Sequence, residues 1–153
     1  CNLGDFGKIF IAGNDTCLLI NGHSCSIIST GKDINISDCG FDTFVASSGE
    51  NASITASGDN AHILSTGDNA HIAVTGDDAF VNCFGKNIVI SIMGKRCVVT
   101  AKDWKDVTFV GVHADSAQLS AKGYSSITSF NPNTSGADNW RFMNDGKVEE
   151  NKE

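Results

Sequence analysis

Proline is nearly absent from this chain, with a single residue, Pro132, in 153. Proline removes a ladder hydrogen bond, so everything before it is free to pair as strands. Basic residues are also scarce: 11 Lys and Arg stand against 18 Asp and Glu, a net charge of −7 and a pI near 4.9. That balance argues against a phosphate-backbone binder, whose affinity comes chiefly from Lys and Arg. No uninterrupted apolar run approaches the roughly 18 residues of a spanning helix, so no membrane span is expected. The cysteines, Cys1, Cys17, Cys25, Cys39, Cys83 and Cys97, include no C-x-x-C pair. This argues against a metal or redox role.

Glycine is the opposite case. It recurs every ninth residue without a slip, at Gly4, Gly13, Gly22, Gly31, Gly40, Gly49, Gly58, Gly67, Gly76, Gly85 and Gly94. Written from its glycine, the unit reads G-D-N-A-x-I-x-x-[ST], most regularly over residues 49–84. The sixth position is aliphatic throughout, from Ile9 and Leu18 to Ile90 and Val99. Side chains alternate along an extended chain, so positions four, six and eight share one face. In the central units these are Ala52-Ile54-Ala56, Ala61-Ile63-Ser65 and Ala70-Ile72-Val74. A helix would scatter them around its circumference, and the recurrent glycine would weaken it. One five-residue strand cannot bury an apolar face alone, so the units must stack. The fold expected is all-β, a parallel β-solenoid. Gly49, Gly58, Gly67 and Gly76 are expected to supply positive φ in the turns. Asn51, Asn60 and Asn69, at the third position, tolerate left-handed geometry and bond their own backbone.

The inward residues are small beside each Ile, which suits two sheets roughly 10 Å apart. Two strands and 18 residues per coil are therefore preferred to three strands and 27. Each residue then sits over the one 18 places earlier, and the outward columns can be written down. One flank carries Lys8, Ser26, Phe44, His62, Phe80 and Val98 beside Phe10, Ile28, Ala46, Leu64, Asn82 and Thr100. The other carries Cys17, Asn35, Ser53, His71 and Val89 beside Leu19, Ser37, Thr55, Ala73 and Ser91. The first is aromatic and aliphatic; the second is mostly small and polar. His62 and His71 fall on opposite faces, which disfavours a paired metal site. Cys25 and Cys97 share an inward column but stand four coils apart, roughly 19 Å, beyond disulfide reach. Buried or half-buried free thiols are expected, and with them a reducing, cytoplasmic setting.

The chain divides into a solenoid over residues 1–102, degenerate repeats and a cap over 103–130, a C-terminal hairpin over 131–148 and a disordered tail over 149–153. The chain starts at Cys1 and is already in register at Gly4, the pattern of an excised fragment with more coils upstream in a parent or of a processed product. Asp38 falls at an inward eighth position, which predicts a bulge or a polar contact there. The turns change from acidic (Glu50, Asp59, Asp68, Asp77, Asp78) to basic (Lys86, Lys95, Arg96), read as solvated turns that avoid stacking like charges. Residues 114–121 look like one more unit, displaced by about two residues, and Trp104 and Phe109 are expected to cover the end of the stack. Trp140 and Phe142 alternate on one side of the hairpin strand, facing the solenoid flank or a second subunit.

In length and glycine placement the unit resembles the β-roll repeat of RTX proteins. That motif, G-G-x-G-x-D-x-U-x, places a calcium-ligating Asp at position six, where this chain has Ile or Val; the resemblance implies the shape and not the calcium. The chain is also similar to bacterial and phage-borne proteins with runs of SGD-x-A-x-I units and a W…G-K-x-V-E ending, here Trp140 to Glu149. That resemblance implies no activity.

The function expected is a non-catalytic structural or interaction scaffold. It self-associates, as a dimer, through Phe10, Ile28, Phe44, His62, Leu64, Phe80 and Val98, with Trp140 and Phe142 as further candidates. Other domains of a parent protein are the alternative partners. No cofactor, nucleic acid or membrane partner is expected. An enzyme or a polysaccharide-acting domain would centre on His62, but no nucleophile elbow, phosphate loop or outward carboxylate pair converges on it. An acidic nucleic-acid mimic would need evenly spaced carboxylates along the rod. An ice-binding face would need regular outward Thr pairs, and Ser53-Thr55 is the nearest approach.

Overall fold

Among the described residues the computed structural model has seventeen strands and no helix; it describes residues 2–101 and, beyond them, the backbone of five strands. Successive strands alternate between two sheets. Sheet A takes, in spatial order, β1 (Asn2–Leu3), β3 (Cys17–Ile20), β5 (Asn35–Asp38), β7 (Ser53–Ala56), β9 (His71–Val74), β11 (Ile88–Ile92) and β13 (Val107–Val112). Sheet B takes β2 (Lys8–Ile11), β4 (Ser26–Ser29), β6 (Phe44–Ser47), β8 (His62–Ser65), β10 (Phe80–Cys83), β12 (Cys97–Ala101), β14 (Ala117–Ala121) and β15 (Thr128–Phe130). From β2 to β12 every pairing is parallel and every partner is 18 residues away, as in Val45, Ile63, Val81, Val99 and in Ile36, Ile54, Ile72, Ile90. The two-sided, 18-residue coil is thus the observed one.

The core is the space between the sheets. Position six of every unit from Leu18 to Val99 is at most 2% exposed. Ala52, Ala61, Ala70 and Ala79 at position four are fully buried, so each large aliphatic sits beside a small neighbour and the sheets close on one another.

The reason for glycine differs from the one the sequence suggested. Positive φ falls on the third residue of each unit, from Phe6 and Asp15 to Asn87 and Arg96, all between 53° and 58°. The Asn and Asp found there are the non-glycine residues that accept this geometry best. Glycine is required by the coil beneath. A Cβ on Gly49 would lie 1.6 Å from the Gly31 carbonyl oxygen, and one on Gly67 1.9 Å from that of Gly49. Gly58 and Gly76 repeat the constraint at 1.9 and 2.0 Å from the carbonyls of Gly40 and Gly58. Turn backbones therefore pass directly over one another.

The second position also acquires a role. Its side chain accepts the backbone N–H of the equivalent residue one coil up: Asp59 from Asp77, Asp77 from Lys95, Asp68 from Lys86, Asn14 from Lys32, Asp5 from His23, each at 2.8 Å. The third-position N–H completes the ladder by donating to the next coil's second-position carbonyl, as Asp42 does to Asp59. Like charges do stack here, contrary to expectation, because Asp59 and Asp77 are tied through the backbone. Higher up the charges alternate, with Arg96 forked onto Asp78.

Asp38 points inward and is fully buried, with no break in register between Ile20, Asp38 and Ala56. A polar contact takes the place of a bulge: the Thr43 hydroxyl and the Gly40 N–H donate to its two carboxylate oxygens. In the coil above, this pair is replaced by Ala56 and Ala61. At the opposite edge of the core, Ser29, Ser47 and Ser65 stack in one eighth-position column, and none of their buried hydroxyls has a partner.

Register changes only at the two ends. Asn2 pairs with Leu19, one residue short of the regular spacing. At the other end Ile88 pairs with Val107, one residue long, and Ile92 with Val112 after an irregularity. Cys97 then pairs with Ala117, two residues long, so 117–121 stack as the displaced unit the sequence indicated. The parallel stack ends where β15 joins β14 antiparallel. β16 (Trp140–Phe142) and β17 (Val148–Glu150) form a separate antiparallel pair, which carries the strand two residues past the expected hairpin limit at 148. Trp104, residues 122–127 and the side chains of Phe109, Trp140 and Phe142 lie outside the described residues.

Candidate interaction surface

Fifth and seventh positions point outward because their neighbours point in. On sheet B, strand pairing builds the column Lys8, Ser26, Phe44, His62, Phe80, Val98 and, beside it, Phe10, Ile28, Ala46, Leu64, Asn82, Thr100. Phe44, His62 and Phe80 therefore point the same way. The His62 and Phe80 rings stack with centroids 4.9 Å apart and planes 21° from parallel. Phe10, Ile28, Phe44 and Phe80 keep 67%, 45%, 41% and 42% of their surface exposed. Leu64 and Val98 are half-buried between their neighbours. Ala46 leaves a notch between Ile28 and Leu64, open to solvent and about 100 Å³ in volume.

Sheet A builds the other predicted columns, with Ser53, His71 and Val89 beside Thr55, Ala73 and Ser91. Among the described residues Leu19 is the one large aliphatic exposed on it. His62 and His71 lie on opposite sheets, and among the described residues no group of three or more His, Cys, Asp or Glu could hold a metal ion.

The apolar surface extends round the edge of sheet B through residues that strand columns alone did not reveal. Phe41 stacks on His23, with centroids 5.0 Å apart, and Phe6 below them is 77% exposed. His23 Nδ1 accepts the Phe41 N–H, which fixes the Nε2–H tautomer. His23 and Phe41 are 18 residues apart at the second position. Writing out the turn columns as well as the strand columns would have found them.

The cysteines divide by position. Cys25, Cys83 and Cys97 are buried free thiols, and burial pushes Cys83 up to about 12 and Cys97 upward as well. Cys17 and Cys39 are free but exposed, contrary to the expectation of buried or half-buried thiols, because a fifth and a ninth position both face out.

Rings stacked along a column cover one another's faces and offer solvent their edges. A sugar-binding platform needs open faces; an interface needs contiguous apolar area, which this flank has. The residues on either side of His62 in its column are rings, so no column neighbour serves it as a proton partner. The fold defines a class, the two-sheet parallel β-solenoid of nine-residue units. Comparison with protein-family models, curated proteins and solved structures finds no match for this chain.

Proposed function

We propose that this chain is a non-catalytic interaction scaffold whose sheet B flank packs against the same flank of a second copy. The observation that carries the reading is the pair of exposed columns rich in large apolar residues on sheet B, set against the mostly small and polar columns of sheet A. The columns are complementary coil by coil: Phe44 lies beside Ala46, Phe80 beside Asn82, Ile28 beside Ser26. A two-fold axis parallel to the rod would set each column against its neighbour in the partner, so that Phe44 enters the notch over Ala46. Both surfaces of such an isologous contact come from one sequence.

Equilibrium sedimentation of the full chain tests this. The expectation is a reversible dimer, weakened at least tenfold, about 1.4 kcal/mol, by Ala46→Trp, which fills the notch but keeps the face apolar. A monomer at every concentration would remove the proposal.

A further inference from the structure

Ionisable side chains are nearly absent from the outer face of sheet B. Along its two outward columns, from Lys8 to Val98 and from Phe10 to Thr100, the titratable groups are His62 and Lys8, and Lys8 lies three coils below His62. His62 sits mid-face, with Phe44 beneath it, Phe80 stacked over it and Leu64 beside it on its own strand. The flanking strands β6 and β10 present Phe44, Ala46, Phe80 and Asn82 outward, and the Cys83 thiol is buried on the core side. Carboxylates stand only at the turns ahead of these strands, on Asp42, Asp59, Asp77 and Asp78. Asp78 is held by Arg96, while Asp59 and Asp77 accept turn N–H groups from the coil above. Among the described residues the His62 imidazole has no hydrogen bond and no ion pair.

In a single chain His62 is exposed, so water solvates the ring in either protonation state. Stacking on Phe80 favours an imidazolium through the ring face, but that stack exists in the single chain already and is common to both sides of an association equilibrium. Desolvation is not common to both. Against the flank of a second copy the ring is sealed among Phe44, Phe80 and the opposing Leu64, where a charge has lost its water and gained no partner.

We infer that protonation of His62 opposes the association of two copies through this face, so that the contact forms above the imidazole range and is lost below it. The inference rests on the dimer proposed above and supplies its regulation. Two-fold symmetry places both copies' His62 in the one contact, so two protons are excluded together. Imidazoles titrate near ~6.5, and excluding two of their protons weakens association about a hundredfold between pH ~7.5 and pH ~5.5. The net charge of −7 acts in the opposite direction, because acid neutralises carboxylates and lessens repulsion between copies. A loss of association on acidification is therefore the mark of His62.

Equilibrium sedimentation of the full chain at both pH values, with circular dichroism of the same samples, tests this beside His62→Phe and, on the opposite sheet, His71→Asn. The parent and His71→Asn should each weaken about a hundredfold in acid with their sheet signal intact, and His62→Phe should associate at both pH values without that drop. A parent dimer of equal strength at both pH values would overturn this inference and leave the dimer standing. So would a drop that survives in His62→Phe, or one that comes with loss of the sheet signal. A parent that is monomeric at both pH values would remove both proposals.

Discussion

At the scale of single residues, the same amino acid carries different constraints at different heights. Gly67→Ala forces a Cβ to 1.9 Å from the Gly49 carbonyl oxygen, a contact that only backbone movement relieves. Urea unfolding should show a loss of about 3 kcal/mol or more. Gly13→Ala meets only the Thr16 hydroxyl, at an ordinary contact distance of 3.7 Å, and should be near neutral in the same urea curves. Asp38 is a second case. Burial raises its carboxyl above the ordinary value of 3.8, while the hydrogen bonds from Thr43 and Gly40 work in the opposite direction. The folded chain then holds this proton more tightly than the unfolded chain. Its contribution is present at pH below the ordinary carboxylate value and is lost as the pH rises through the raised folded value. Asp38→Asn can accept from Gly40 and donate to Thr43. Relative to the parent, its unfolding midpoint should rise most near neutrality and least at the acid end of a pH series. For the thiols, a chromogenic disulfide reagent should label Cys17 and Cys39 in the folded protein and reach Cys25, Cys83 and Cys97 only on unfolding.

At the scale of the strand and its column, stability is a nearest-neighbour property. Ile63 lies between Val45 and Val81 in its column. Ile63→Ala should cost about 2–5 kcal/mol. Amide exchange should show the loss in β6 and β10 as well as β8. The serine column behaves in the opposite sense, because Ser47 and Ser65 bury hydroxyls without partners. Their replacement by alanine, already present at the equivalent position as Ala56, should be neutral or stabilising by about 1 kcal/mol, read from the same denaturant curves. Strand existence and alternation were legible because each follows from a local period, and the 18-residue register was favoured by the small inward residues beside each Ile. The partner of Asp38 was not, because the eighth position of one sheet meets the fourth position of the other only when the chain turns the corner.

At the scale of the whole molecule, the two sheets give the rod unequal sides. One is lined by Phe10, Ile28, Phe44 and Phe80, the other by Ser37, Thr55, Ala73 and Ser91. Phe44→Lys on the proposed contact face should abolish association in sedimentation and, at concentrations where the parent is monomeric, leave the unfolding midpoint nearly unchanged, since the ring is already exposed. A loss of stability without a change of mass would assign the face a folding role instead.

The amino-acid order by itself determined the stacked strands: a period of nine and alternation of two within it fix what faces inward, and small residues at the inner corners favour two strands per coil over three, a choice the strand pairing makes. Only the tertiary structure decided what each turn residue is for. Glycine yields to a carbonyl one coil below, the second residue binds an N–H one coil above, and the third takes the left-handed bend. The reason is distance. Patterning within a unit acts over a few bonds and is written in the sequence. Contacts between residues 18 apart depend on how closely one backbone rests on another, which no single unit contains.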